Sequence, residues 1–257
     1  MDFSFSGPLA MLVGLILGGV LGALGTLTGI GGGFLLMPLL LMLFPNQPAA
    51  ALSLATLTIV FFNALSGTIL SARHDRVRFR TGLSYGLLSL PLVWVGTQMQ
   101  AHLDRSTFTT AFGGFLIAGA MFLLFRPQGT KSSPTSRRIW IAGAAISLAI
   151  GFLAGFFGVG GGFLFVPLLA FFLGFPMVEA TATSQLIVGM GAAWALTTGA
   201  MAHPLPLDPQ LMGGLVAGVL VGAPAGTWAA GRTSPRLVTG ILAVLLGAVG
   251  IRFLWPQ

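Results

Sequence analysis

The chain has 257 residues, of which 55% are hydrophobic and only 7% charged, with a mean hydropathy of +0.96. Soluble domains carry about 25% charged residues, so a water-facing surface is excluded for most of the chain and the bilayer is its solvent. The net charge of +7 does not indicate nucleic-acid binding, because the basic residues sit in short gaps between apolar runs, and the absence of cysteine excludes thiol chemistry and thiolate metal sites.

The N-terminus, MDFSFSGPLA, has no basic segment before its apolar run, so a cleaved signal peptide is not expected and the first run is read as a retained membrane helix. In chain order, apolar helical segments are predicted at 7–28, 32–44, 48–72, 79–101 and 105–125. A polar, basic linker (126–138, with RPQGTKSSPTSRR) follows, then segments at 139–157, 162–174, 177–201, 209–230 and 235–255. Solid apolar runs exclude β-barrel spans, which alternate polar and apolar residues. The second and seventh segments are short: at about 1.5 Å per residue they reach roughly 18–20 Å, less than a ~30 Å hydrocarbon core.

Residues 29–40 read GIGGGFLLMPLL and residues 158–169 read GVGGGFLFVPLL, nine identities in twelve at an offset of 129. Under the same offset Ala51 falls on Ala180 and His74 on His203, and with one further residue Gly96-Thr97 falls on Gly226-Thr227. Agreement over so long a stretch marks a duplication, with repeats at 1–125 and 139–257. Equivalent loops carry opposite charge bias. Arg73, Arg76, Arg78 and Arg80 follow the third segment, whereas 202–208 holds no Lys or Arg; Arg105 beside Asp104 follows the fourth, whereas Arg232 and Arg236 follow the ninth.

If the first two segments form a hairpin that returns to its starting side, as do the sixth and seventh, ten of the twelve basic residues share one face and only Arg105 and Arg252 lie on the other. Treating the short segments alone as re-entrant gives nine to three and parallel copies, so the first is preferred. The expected fold is therefore all-α and polytopic: two inverted repeats of about five helical segments each, short or broken at the Gly-rich motifs. The positive-inside rule places the linker in the cytoplasm and both termini outside it.

Each glycine inside a helix costs about 1 kcal/mol relative to alanine. Gly29, Gly31, Gly32 and Gly33, and again Gly158, Gly160, Gly161 and Gly162, are therefore expected to unwind the chain, with Pro38 and Pro167 weakening the short helices beyond them. Irregular backbone within a bilayer persists only where protein or a water-filled cavity surrounds it. A helix that starts just beyond each break offers N–H groups and a partial positive charge to an anion. Inverted repeats with broken helices are a recurrent build of secondary transporters. Close packing through small residues is the competing explanation for the glycines.

Polar groups lie beyond each break. Ser53, Thr56, Val60 and Asn63 share one helix face, and Thr181, Ser184 and Gln185 share another, with Gln185 the repeat partner of Thr56. Such uncharged groups, with Thr183, suit an oxyanion; interhelical hydrogen bonding is the alternative. His74 and His203, at equivalent helix ends, are weaker candidates for gating or proton-linked roles beside an ordinary interfacial one. Trp194, mid-helix, is a candidate lining residue. The carboxylates sit at or near segment ends, so a buried carboxylate relay is not expected.

At GIGGGFLLMPLL and GVGGGFLFVPLL, followed by AALSLAT and EATATSQ, the sequence resembles the sulfite exporter TauE/SafE family of bacterial membrane proteins over essentially its whole length. Thr183-Ser184 matches the Thr-Ser usual at that place; the first copy has Leu54-Ala55. The resemblance implies movement of small sulfur-containing anions, such as sulfite or organosulfonates, across the cytoplasmic (inner) membrane. The resulting expectation is a secondary transporter or facilitator working by alternating access as its two halves rock. Gly29, Gly31, Gly32, Gly33, Ser53, Thr56, Asn63, Gly158, Gly160, Gly161, Gly162, Thr183, Ser184 and Gln185 are the candidate substrate site. No catalytic or metal site, cofactor or nucleic-acid partner is expected; the partners are the anion and the lipid bilayer, with homo-oligomerisation left open. An anion channel or an accessory subunit of a larger complex is the alternative. No G-x-S-x-G or H-E-x-x-H motif supports an enzyme.

Overall fold

A computed structural model describes residues 7–29, 31–124, 137–199, 207–229 and 235–254. All regular structure among them is helical: α1 (Pro8–Thr28), α2 (Gly33–Leu43), α3 (Ala49–Ala72), α4 (Phe79–Ala101), α5 (Arg105–Leu124), α6 (Arg137–Phe157), α7 (Gly162–Pro167), α8 (Met177–Gly199), α9 (Pro209–Ala229) and α10 (Pro235–Leu254). These match the predicted segments closely, because long apolar runs punctuated by Gly, Pro and charge leave little freedom in where a helix begins or ends. Among the described residues four helices, α1, α3, α6 and α9, are long and apolar enough to cross a membrane. The chain is a multi-pass membrane protein. Large apolar side chains such as Leu9, Ile16, Leu87, Val221 and Val244 stand exposed on the outside, as expected where lipid takes the place of water.

Pro38 and Pro167 occupy the same place in their repeats but act differently. The α-helix of α2 runs through Pro38, whereas α7 gives way at Pro167 to a π turn over Leu168–Phe172, with the Leu173 amide returning to the Leu168 carbonyl. A proline without an N–H forfeits its own helical bond, and a π turn is one way the chain resumes.

Helix directions are set by which residues touch. In α3 and α8, Gly67 lies against Gln185, Ala64 against Gly189 and Leu54 against Gly199, so these repeat-equivalent helices run antiparallel. The other equivalent pair, α5 and α10, is likewise antiparallel, with Gly250 against Ile117 and Gly247 against Ala120. By contrast α1 runs parallel to α9, with Gly14, Gly18 and Gly22 against Leu211, Leu215 and Val219, and α4 runs parallel to α6, with Ser89 and Val93 against Gly151 and Gly155. A side-chain carbon added at Gly18 would lie 2.2 Å from the Leu215 carbonyl oxygen, and one at Gly155 2.1 Å from that of Val93. Backbones come this close only without side chains between them.

Those two tight pairs each join one repeat to the other. The sequence halves therefore pack against each other through these pairs. The short helix α2 turns back beside α1: Gly32 lies near the Leu21 carbonyl, and Leu36, Leu40 and Leu43 face Val13 and Leu17. The end of α2 is fastened by Arg105, whose guanidinium donates to the Gln47 carbonyl and, at 2.6 Å, to that of Leu41.

Described carboxylates sit at helix ends, as predicted. Asp104 accepts the Thr107 amide at 2.9 Å at the start of α5, which holds its carboxyl below the usual carboxylate range. Asp208 accepts the Gln210 amide at the start of α9.

Candidate functional site

The glycine breaks adopt the backbone that their composition requires. Gly29, Gly31 and Gly32 have φ of 72°, 84° and 75°, and Gly158, Gly160 and Gly161 have 64°, 77° and 70°. This left-handed region disfavours any Cβ. Gly29 thus ends α1 and Gly32 precedes α2; the Gly31 amide returns to the Gly25 carbonyl, and the Leu35 and Leu36 amides return to that of Gly32. The second break repeats this arrangement, with the Leu164 and Phe165 amides on Gly161.

The two breaks meet. A side-chain carbon at Gly33 would lie 2.9 Å from the Val159 carbonyl oxygen. The next residue in each copy, Phe34 and Phe163, stack on each other at 4.1 Å between ring centroids, 19° from parallel. Between the breaks stand Val60 of α3 and Val188 of α8, both buried. An added carbon at Gly160 would lie 2.7 Å from Val60 and 3.0 Å from Val188, and one at Gly31 3.6 Å and 3.3 Å from the same pair. Each break also leans on the long helix of the other repeat: Gly29 on Thr181 and Gly158 on Ser53. The cavity beside Gly160, lined by Leu57, Ser89, Val93, Phe165 and Ile187 among others, is only about 10 Å³, the lower limit for one water.

All of the described polar candidates at the centre are buried, but their surroundings differ. The Thr56 hydroxyl donates to its own helix at Leu52 at 2.9 Å and sits on the Met37 sulfur at 3.5 Å. Ser184 donates to Thr181 at 2.8 Å and reaches the Gly29 carbonyl at 3.1 Å, so it touches the first break directly. Thr183 lies away from the centre, where it accepts the Arg78 amide at 3.0 Å. Ser53 Oγ, both amide atoms of Asn63 and Gln185 Oε1 have no hydrogen-bond partner among the described residues. Each of these three side chains occupies the notch of a glycine: Ser53 at Gly158, Asn63 at Gly25 and Gln185 at Gly67.

The remaining candidates separate from this centre. His74 is exposed at the end of α3, with Nδ1 2.9 Å from the Leu70 carbonyl, and His203 lies outside the described residues. Trp194 is 41% exposed on the outer surface, so its proposed lining role is corrected: the face of α8 that carries Ser184 and Gln185 turns inward and Trp194 does not share it. Sequence reasoning put Val60 on the candidate face of α3 without seeing that it stands between the breaks, and missed Val188 and the Phe34–Phe163 stack although that Phe ends both motifs. It also missed a cleft of about 600 Å³ between the α3–α4 loop and the start of α8, lined by Arg78, Arg80, Thr81, Phe175 and Glu179 among others. There Arg78 Nε donates to Glu179 at 2.6 Å, which raises the guanidinium pKa. Among the described residues no cluster of His, Asp and Glu is placed to hold a metal.

A helical membrane protein with two broken helices meeting at its centre has the build of a membrane transporter. The chain matches the sulfite exporter TauE/SafE family over residues 13–253 and belongs to that family. It is similar to the probable membrane transporter protein YunE of Bacillus subtilis, 24% identical over 96% of this chain and 98% of the relative. A probable membrane transporter protein of Xylella fastidiosa (strain 9a5c) is 29% identical over 96% and 95%, and one of Methanocaldococcus jannaschii is 30% identical over 73% and 71%. No solved structure matches the chain significantly.

Proposed function

We propose that the protein is a secondary transporter or facilitator that moves a small anion, sulfite or an organosulfonate, across the cytoplasmic membrane by alternating access. The observation that carries this reading is the meeting of the two glycine breaks, where Gly33 touches Val159 and Phe34 stacks on Phe163. Unwound backbone at the core of a membrane protein is costly unless something uses its polar groups. The first N–H groups of α2 and α7 have no carbonyl partner within their own helices, and they carry the positive end of the helix dipole. With Asn63 at the first break and Ser53 at the second, these groups suit an oxyanion and require no cation in the site. Thr56, Thr183 and Ser184 contribute less, since their hydroxyls are engaged elsewhere, and Gln185 sits apart in the notch of Gly67.

Antiparallel packing of the equivalent helices α3 with α8, and α5 with α10, supports an inverted pair of repeats, 1–125 and 139–257, joined by a cytoplasmic linker. With the basic loops taken as cytoplasmic, these helix directions are consistent with both termini on the non-cytoplasmic side. Because α1 packs on α9 and α4 on α6, the bodies that move past each other are these cross-repeat pairs, with α3, α8 and the breaks between them. Val60 and Val188 then separate the two sides in the closed state, and the cleft at Arg78 and Arg80 forms an electropositive mouth on the cytoplasmic face.

Flux through purified protein in proteoliposomes tests this. Saturable counterflow of labelled sulfite or a sulfonate is expected. A conductance that does not saturate would instead indicate a channel. Folded protein that neither binds nor moves any sulfur anion would show the substrate assignment to be wrong.

A further inference from the structure

The two halves match in backbone at the breaks but differ at a coupled pair of positions beside them. In the first half a side-chain carbon at Gly25 would lie 2.3 Å from Asn63 Nδ2 and 2.6 Å from the Gly32 amide nitrogen. At the offset of 129, Gly25 becomes Ala154 and Asn63 becomes Ala192. The counterpart of Gly32, Gly161, is correspondingly walled in by carbon: a side chain there would meet the Ala154 methyl at 2.8 Å and Ile150 at 3.2 Å. The first break faces an amide and the second faces aliphatic groups.

That amide is an expensive feature. Asn63 is 0% exposed, and neither Nδ2 nor Oδ1 has a hydrogen-bond partner among the described residues. Buried amides are rarely left so, because the desolvation loss is not recovered. Its accommodation also needs a glycine within α1, a second cost. The helix that starts beside it, α2, is α-helical for 11 residues, whereas α7 keeps α geometry for only 6 before the π turn. Alanine at both positions, as in the second half, would remove both costs.

We propose that the anion is bound asymmetrically, at the first break alone, between the α2 N-terminus and the Asn63 side chain, with Gly25 providing the notch that admits the amide. The ligand is a small oxyanion: one oxygen accepts from Nδ2, and Oδ1 accepts from a hydroxyl of the ligand or from a water that accompanies it. Asn63 is then the specificity-determining residue of the site, and the second break is its apolar counterpart. This rests on the transport reading for its purpose, but its test does not depend on flux.

The test is thermal unfolding of the purified full-length protein in detergent, with sodium sulfite, sulfate or methanesulfonate as probes and sodium chloride at matched ionic strength as control. A bound anion raises the unfolding temperature by mass action, so at least one probe is expected to raise it by a few degrees in the wild type. Asn63→Ala and Asn63→Asp should abolish the rise, while Ala192→Ser should keep it. The loss corresponds to affinity weakened roughly tenfold or more, as expected for one charge-assisted hydrogen bond. The double variant Gly25→Ala/Asn63→Ala, which copies the pair already packed in the second half, should unfold at or above the wild-type temperature and show no anion response. A rise that persists without Asn63, or no rise in the wild type with any probe, overturns the proposal. So does an anion-free Asn63→Ala protein that fails to fold or melts well below wild type, which would make the amide structural. A wild type that carries sulfur anions while its anion response ignores Asn63 leaves transport standing and removes this site; an Asn63-dependent response without flux does the reverse.

Discussion

Gly160 shows what a single atom costs at the centre. Its φ of 77° is strained for any residue with a Cβ, and the added carbon would press on Val60 at 2.7 Å and Val188 at 3.0 Å. Gly160→Ala is therefore expected to cost about 1–3 kcal/mol in stability and to abolish transport, read by detergent unfolding and counterflow. Gly114 is the control: it lies in α5, exposed and with nothing near its missing side chain. Gly114→Ala should stabilise by about 0.5–1 kcal/mol and leave transport intact. Equal effects at the two positions would show that the break is ordinary packing. At this scale the sequence was legible where composition forces conformation, as at six of the eight motif glycines, whereas Gly33 and Gly162 already begin the short helices. It was less so for Asn63 and Thr56, which lie on one face of α3 yet differ in whether the hydroxyl or amide finds a partner. That depends on Gly25 and Leu52, and spacing along α3 does not reveal it.

The helices themselves were legible because apolar length and terminal charge define them locally. Their partners were not, since an apolar surface in lipid does not announce which other surface it meets. The pairings of α1 with α9 and α4 with α6 became visible only through glycines that the motif search passed over. A side-chain carbon at Gly222 would lie 2.0 Å from the Gly19 carbonyl oxygen, and the corresponding contact in the other pair is Gly155 on Val93 at 2.1 Å. Gly222→Leu and Gly155→Leu should each force a pair apart, at a cost of about 1–3 kcal/mol or more, and lower the folded yield by similar amounts. Folded yield is read by size-exclusion chromatography of detergent-extracted protein. If one substitution is tolerated and the other is not, the two pairs are not mechanically equivalent and cannot serve as matched moving bodies.

For the whole molecule, the question that charge bias raised in the sequence is whether equivalent loops face opposite sides. Helix directions bear on it independently of charge: α3 lies antiparallel to α8, so α4 and α9, the next helices in each repeat, also begin at opposite ends of the bundle. Arg80 in the first turn of α4 and Gln210 in the first turn of α9 are both exposed, and they occupy equivalent places in the two repeats. The chain contains no cysteine, so Arg80→Cys and Gln210→Cys each create a single labelling site without background. In intact bacterial cells a membrane-impermeant maleimide should label Gln210→Cys and spare Arg80→Cys, which should react only after the membrane is opened. Positive-inside bias requires that order, with the Arg73–Arg80 loop in the cytoplasm. The reverse order would keep the inversion and overturn the orientation. Labelling of both sites from one side would place the equivalent loops together, and two-fold related breaks meeting from opposite faces would then no longer describe the molecule.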